Sequence, residues 1–228
     1  MKKQFLTALF IIFSITALHA QDSLFLRQVR SELRKTWPGN RAINLVFHGH
    51  SVPAGYFATP VVNTLQAYPQ QVLQGIKQQY PNAVVNVIVT AIGGENSEKG
   101  AARFSSTVLI HKPDVLFIDY ALNDRAIGLD KARVATEQMI REAQAQQVPV
   151  ILLTPSPDIS TNWKAADNPL RLLRDQIVAL AAQYKTGLVN TYDIFLQQAD
   201  VKPLMAQSNH PNEKGHRLIA EGILHWFL

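Results

Sequence analysis

The chain has 228 residues, a formal charge of +5 and no cysteine. This length suffices for one domain with a substantial core, and the lack of cysteine excludes disulfides, a thiolate nucleophile and cysteine metal ligands. Lysine and arginine form no cluster with interleaved aromatic residues, so the positive charge gives no support to nucleic-acid binding.

The first 20 residues have the pattern of a secretory signal peptide. Two lysines follow the initiating methionine, an apolar stretch runs from Phe5 to Leu18, and the segment ends in Ala20. The apolar stretch is short for a membrane span. We therefore expect cleavage near Gln21 and export to the periplasm or beyond the cell. Residues 21–228 then form one domain with no stable membrane insertion.

Short apolar stretches alternate with longer helical patterns along the rest of the chain. The apolar stretches are rich in β-branched and aliphatic residues and show little alternation, which is typical of strands buried on both faces. They predict five parallel strands: Ile43–His48, Val84–Thr90, Val115–Asp119, Val148–Thr154 and Gly187–Val189.

Helical patterns fill the segments before, between and after these strands. Pro81, Pro113 and Pro149 separate helix from strand, where a residue that cannot continue a helix is expected. Strands that alternate with helices predict a doubly wound α/β fold. The predicted helices are Asp22–Lys35, Asn63–Gln79, Ser97–Ile110, Asp130–Gln147, Asn168–Lys185 and Glu213–Phe227.

Four polar or small residues fall where a ligand site is expected. Ser51, Gly94 and Asn123 follow the first, second and third strands, and His210 precedes the closing helix. Ligands of open α/β sheets bind at the carboxyl ends of the strands, so these residues are expected to meet. Acyl transfer needs a nucleophile and a general base, which Ser51 and His210 can supply. It also needs oxyanion donors: the backbone N–H groups of Ser51 and Gly94 and the Asn123 amide.

The order and spacing of these motifs resemble the SGNH hydrolases, or GDSL-type esterases and lipases, from about Ile43 to the end of the chain. The family's Gly-Asp-Ser corresponds to Gly-His-Ser ending at Ser51, and its Gly-x-Asn-Asp to Ala-Leu-Asn-Asp around Asn123. The resemblance implies a three-layer, flavodoxin-like fold with a five-stranded parallel sheet flanked by helices. It also implies a Ser51 acyl-enzyme that needs no cofactor or metal.

The substrate class follows from the same resemblance. The family acts on lipids, thioesters, aryl esters and acetylated sugars. A compact core without a long hydrophobic lid sequence favours a short acyl group, and we expect a small-molecule or carbohydrate-linked acyl ester such as an acetylated carbohydrate. Three loop aromatics are candidates for stacking on a sugar ring or for ordinary half-buried packing: Tyr56, Phe57 and Trp163.

The departure from the family at Gln207 is the most consequential one. The family's last motif is Asp-x-x-His, whereas this chain has Gln207-Ser208-Asn209-His210. The carboxylate that normally fixes the histidine tautomer and stabilises its charged form is therefore missing from this position. Either a carbonyl oxygen from Gln207 or the backbone orients His210, or a carboxylate comes from elsewhere.

Two alternatives belong to other functional classes. The missing carboxylate at Gln207 is also compatible with a catalytically weak relative that binds a ligand. His48 and His50 form a His-x-His motif at a strand end, which suggests a metal-dependent hydrolase. The fold that normally carries that motif is an eight-stranded barrel of about 250 residues, which this chain is too short to form.

Overall fold

A computed structural model describes residues 24–228, and the predicted signal peptide lies outside them. Its centre is a sheet of five strands: β1 (Ala42–Gly49), β2 (Val84–Val89), β3 (Val115–Asp119), β4 (Val150–Leu153) and β5 (Gly187–Val189). All neighbouring strands are parallel, in the order β2-β1-β3-β4-β5. The five predicted strands and the α/β fold are confirmed, with strand bounds that differ by at most two residues.

Helices cover both faces of this sheet. Alternate side chains of a strand point to opposite faces, so Leu45 and Phe47 contribute to one core and Val46 to the other. The helices are α1 (Arg27–Leu33), α2 (Ser51–Ala54), α3 (Tyr68–Gln79), α4 (Ser97–Ala102), α5 (Phe104–Thr107), α6 (Ala121–Asp124), α7 (Leu129–Ala145), α8 (Pro169–Tyr184), α9 (Thr191–Leu196) and α10 (Glu213–Leu224).

The two cores define a three-layer arrangement. Helices α1, α3, α9 and α10 pack on the face that contains Phe47 and Phe117, whose rings stack at 4.3 Å. Helices α4, α5, α7 and α8 supply most of the helical part of the other core, around Met139 and Leu180. Within residues 24–228, no helix has the length and apolarity that a membrane span requires.

The helix predicted at Asn63–Gln79 begins later, at Tyr68. The preceding Ala67 is extended, and Pro69 occupies the first turn, where its missing N–H costs no helical hydrogen bond. Residues 64–66 form a separate 3-10 turn. The loop that leads to α3 begins beside Ser51, since Tyr56 N–H donates to the Ser51 carbonyl at 3.0 Å.

The helix predicted at Ser97–Ile110 is broken into α4, α5 and a 3-10 turn. Arg103 leaves helical geometry at the break, and its guanidinium binds Glu95 and the Thr90 carbonyl. These tertiary contacts override the local helical propensity.

Three short helices and a hairpin had no predicted counterpart. Helices α2 and α6 begin directly after β1 and β3 and have only four residues each, which is too short for a periodic pattern. Helix α9 follows β5. Strands β6 (Met205–Gln207) and β7 (His210–Pro211) form an antiparallel pair that presents His210 to the carboxyl edge of the sheet.

Candidate active site

Ser51 is the first residue of α2, at the point where β1 leaves the sheet. Gly49 makes this turn possible, because a Cβ there would lie 2.3 Å from the Asp119 carbonyl oxygen. His50 caps the helix, since its Nδ1 accepts a hydrogen bond from Val52 N–H at 3.2 Å. The Ser51 side chain is therefore held at the end of a buried strand.

The structure brings His210 to Ser51 from the far end of the chain. His210 Nε2 lies 2.8 Å from Ser51 Oγ, and His210 Nδ1 lies 2.9 Å from the Phe57 carbonyl oxygen. A carbonyl can only accept a hydrogen bond, so Nδ1 carries the ring proton. His210 Nε2 is then the free acceptor that faces the serine hydroxyl.

Two contacts hold the Phe57 carbonyl in place. The Phe57 ring stacks on the buried His216 ring, with centroids 5.0 Å apart and planes 12° apart. Gln207 Oε1 accepts a hydrogen bond from Thr59 N–H at 2.9 Å, two residues farther along the same loop. Gln207 was a candidate for orienting His210 directly, but its hydrogen bonds go to Thr59 and Asn209 instead. A backbone carbonyl occupies the place expected for the Gln207 side chain.

The environment of His210 favours its neutral form. Burial lowers the pKa of His210, the Phe57 carbonyl partly offsets this effect, and the nearby His50 lowers the pKa further. A neutral imidazole can accept a proton at Nε2, as a general base must.

Asn123 is hydrogen-bonded to the loop that follows β2 and carries Gly94. Asn123 Nδ2 donates to the Glu95 carbonyl oxygen at 2.9 Å, which ties α6 to the residue after Gly94. Gly94 has a positive φ of 78°, and a Cβ built there would meet nothing within 4 Å. The left-handed backbone favours glycine at this position, and the space beside it is open. Ile92 N–H donates to the Gly49 carbonyl, which joins this loop to the end of β1.

A buried polar network holds the loop that carries Gly94 in place. Glu95 accepts hydrogen bonds from Arg103 at 2.8 and 2.5 Å and from the Tyr120 hydroxyl at 2.7 Å. Burial opposes ionisation of Glu95, but these hydrogen bonds outweigh it and lower the Glu95 pKa. The Tyr120 hydroxyl also lies 3.1 Å from His48 Nε2. The carboxylate of Glu95 thus anchors the loop that carries Gly94.

His48 and His50 have separate partners. The His48 ring contacts Thr90 and Tyr120, and burial, with the charge of Arg103, lowers the His48 pKa to about 4. The His50 ring faces Ser51. Within residues 24–228, no group of three or more histidine, aspartate or glutamate side chains has the geometry of a metal site.

The three candidate stacking aromatics have different environments. Trp163 packs edge-on against Tyr192 in the core, and Phe57 is buried against His216. Tyr56 is half-buried, and its ring lies 6.1 Å from the His210 ring. It also covers Gly93, where a Cβ would come within 3.0 Å of the tyrosine ring. Of these three aromatic rings, that of Tyr56 lies beside His210.

Two residues at the site have roles that the sequence analysis missed. The first is Phe57, whose contribution is a backbone carbonyl and so has no side-chain signal. The second is Asp119, the last residue of β3, whose Oδ1 lies 3.4 Å from His50 Nε2. Its position at a strand end was the available signal for Asp119.

Comparisons with known proteins agree with this architecture. The model of the "GDSL-like Lipase/Acylhydrolase family" matches residues 47–218. A Bacillus subtilis protein, "Uncharacterized lipoprotein YqeF", is 33% identical over 108 residues; the match covers 38% of this chain and 44% of that relative.

Two solved structures of carbohydrate esterases share the fold. Axe2, an acetylxylan esterase from Geobacillus stearothermophilus, has a TM-score of 0.69 at 21% identity, over 81% of this chain and 94% of Axe2. A two-domain esterase (CEX) active on acetylated mannans has a TM-score of 0.70 at 20% identity, over 90% of this chain and 52% of CEX.

Proposed function

Because the chain belongs to the GDSL-like lipase/acylhydrolase family of carboxylic ester hydrolases, we propose that it is an exported serine esterase. One observation carries the proposal: Ser51 Oγ lies 2.8 Å from Nε2 of the buried His210, whose Nδ1 is hydrogen-bonded to the Phe57 carbonyl. A nucleophile, a base within hydrogen-bond reach and a group that orients the base form a catalytic arrangement.

The reaction begins with proton transfer from Ser51 to His210. As the hydroxyl proton moves to His210 Nε2, Ser51 Oγ attacks the ester carbonyl carbon and the carbonyl oxygen becomes an oxyanion. The imidazolium then gives its proton to the departing alkoxy oxygen, and the bond between that oxygen and the acyl carbon breaks. In the second half of the reaction, His210 Nε2 takes a proton from water as the water oxygen attacks the acyl carbon. The bond between Ser51 Oγ and the acyl carbon then breaks, and His210 returns the proton to Ser51 Oγ.

Three donors stabilise the oxyanion in this proposal. Asn123 has two amide N–H bonds, and its hydrogen bond to the Glu95 carbonyl uses one of them. The other can donate to the substrate, together with the backbone N–H groups of Ser51 and Gly94. The open space beside Gly94 gives the substrate access to these donors.

A Ser51–His210 dyad replaces the usual triad. The Phe57 carbonyl fixes the tautomer of His210 but adds no negative charge next to the ring. Loss of the triad aspartate in a serine protease lowers turnover about 10⁴-fold, chiefly because the tautomer is wrong. With the tautomer fixed by Phe57, the tautomer part of that loss is avoided.

The substrate we favour is a short acyl ester, such as acetyl, on a carbohydrate. Two solved structures that share the fold, Axe2 and CEX, are esterases of acetylated xylan and acetylated mannans, which supports this class. Tyr56 is our candidate for stacking on a sugar ring, since its ring lies 6.1 Å from the His210 ring. We further propose that residues 1–20 are a signal peptide and residues 21–228 the hydrolase domain. The lipoprotein name of the Bacillus subtilis relative supports export.

A serine-directed probe and an acetate ester test this function together. We expect a fluorophosphonate to label the wild type once and p-nitrophenyl acetate to be hydrolysed, and both to be lost in Ser51→Ala. The matched control is Ser106→Ala, which removes an exposed hydroxyl and should change neither. Full activity in Ser51→Ala would refute the mechanism, and activity abolished by a chelator would favour the metal-dependent alternative. Wild type that binds acetylated sugar without turnover would favour the ligand-binding one.

A further inference from the structure

Asp119 is a buried carboxylate in an unusual environment. Its side chain is about 7% exposed, and among residues 24–228 its partner at ion-pair distance is His50 rather than a lysine or arginine. The Tyr68 hydroxyl donates to Asp119 Oδ2 at 3.1 Å. Burying a charge is costly unless it is paired or hydrogen-bonded, so the contacts of Asp119 with His50 and Tyr68 offset part of this cost.

His50 connects Asp119 to the nucleophile. His50 Nδ1 accepts from Val52 N–H and lies 3.4 Å from Ser51 Oγ, while His50 Nε2 lies 3.4 Å from Asp119 Oδ1. Because Nδ1 is an acceptor, the ring proton is on Nε2, which lies at ion-pair distance from the carboxylate without a hydrogen bond to it. Ser51 therefore has a second imidazole beside it, and a carboxylate lies behind that imidazole.

We propose that Asp119, acting through His50, supplies the negative charge that the His210 dyad lacks. The inference rests on the proposed Ser51 mechanism and deepens it. When the Ser51 proton moves to His210 Nε2, the new imidazolium has a neutral carbonyl on its Nδ1. The fixed charge of Asp119, one imidazole ring away from Ser51, stabilises that transient positive charge. Asp119 is thus a positioning and electrostatic residue, and His50 is the group that contacts the reacting oxygen.

Other titratable groups also border this cluster. Burial lowers the pKa of His216 to about 3, so His216 stays neutral while the enzyme works. Asp124 is a second carboxylate near this cluster: burial raises its pKa to about 6, the charges of His50 and Asp119 also act on it, and its Oδ1 accepts from Ser97 N–H at the start of α4. Two tyrosines also border the cluster, Tyr56 beside His210 and Tyr68 on Asp119.

The test is the pH dependence of kcat/KM on p-nitrophenyl acetate in Asp119→Asn. Asparagine can still accept the Tyr68 hydrogen bond, so the change removes mainly the charge. We expect turnover to fall about tenfold or more, and the acid limb to move to lower pH by about half a unit, because a lost anion destabilises imidazolium. The matched control is Asp114→Asn, which removes a carboxylate bound to Arg41 just before the other end of β3. Its acid limb should stay where it is in the wild type.

A second variant keeps the inference testable if Asp119→Asn does not fold. His50→Asn preserves an N-cap side chain for α2 while removing the imidazole. We expect it to lose turnover as well, and Asp119→Asn to cost less in the His50→Asn background than in the wild type, since the two residues act as a unit. A pH profile of Asp119→Asn that overlays the wild type, or full turnover in His50→Asn, overturns the inference. If the wild type is neither labelled at Ser51 nor active, the proposed function itself has failed.

Discussion

The replacement Gln207→Asp separates the family pattern from the structure. By the family pattern it restores the missing triad carboxylate, and a gain in turnover with a raised His210 pKa would follow. In the structure, His210 Nδ1–H already donates a hydrogen bond to the Phe57 carbonyl, and Gln207 Oε1 accepts one from Thr59 N–H. We therefore expect no gain from aspartate at this position.

The size of the effect follows from the hydrogen bond that is lost. Aspartate is one methylene shorter than glutamine, so it withdraws the acceptor from Thr59 N–H, a neutral bond worth about 0.5–1.5 kcal/mol. Gln207→Glu keeps the length of the side chain and an acceptor oxygen for Thr59, so it is the matched control. We expect Gln207→Asp to lower the free energy of unfolding by about 1 kcal/mol relative to Gln207→Glu.

Two assays decide between these expectations. Urea unfolding compares the stability of the two variants, and the pH profile of kcat/KM reports the charge felt by His210. For Gln207→Asp we expect an acid limb within about 0.3 units of the wild type and no increase in turnover. A tenfold gain in turnover with an acid limb shifted upward would refute the assignment of Phe57 as the orienting group.

Further expectations concern the oxyanion site and the buried histidines. Asn123→Ala should lower turnover about 100- to 1,000-fold with little loss of stability, because it removes an oxyanion donor. Kinetics together with urea unfolding checks this. A large loss of stability alongside the loss of turnover would mark Asn123 as structural. Burial lowers the His216 pKa to about 3, so the unfolded chain binds a proton there that the folded chain refuses. Stability should therefore fall as the pH drops from 6.5 towards 3, by up to about 1.4 kcal/mol per pH unit from this group. In His216→Asn, a less steep dependence of the urea midpoint on pH is expected, and an unchanged slope would contradict this role.

The strands and the position of the site were predictable from the sequence because both depend on local information. Strands buried on both faces require continuous apolar stretches, such as the one that became β3. The carboxyl ends of parallel strands lie at one edge, so residues that directly follow them are brought together whatever the strand order. Ser51 and Asn123 were predicted in this way.

Helix bounds were less predictable where tertiary contacts compete with local propensity. Residues 97–110 have a helical pattern, but the interaction of Arg103 with Glu95 breaks it. This ion pair also supports the Gly94 loop. The helix is therefore broken by a tertiary contact near the site and not by the helical propensity of the segment.

The charge and hydrogen-bond arrangement around Ser51 was decided by the tertiary structure alone. Every residue carries a carbonyl, so no sequence pattern marks the one at Phe57 that accepts from His210, 153 positions away. Likewise, His50 and Asp119 become neighbours because Gly49 and Asp119 are in register on adjacent strands. Gln207 illustrates the limit of sequence position as a guide to contacts. Its position three residues before His210 suggests contact with that histidine, but the hairpin directs its side chain to Thr59.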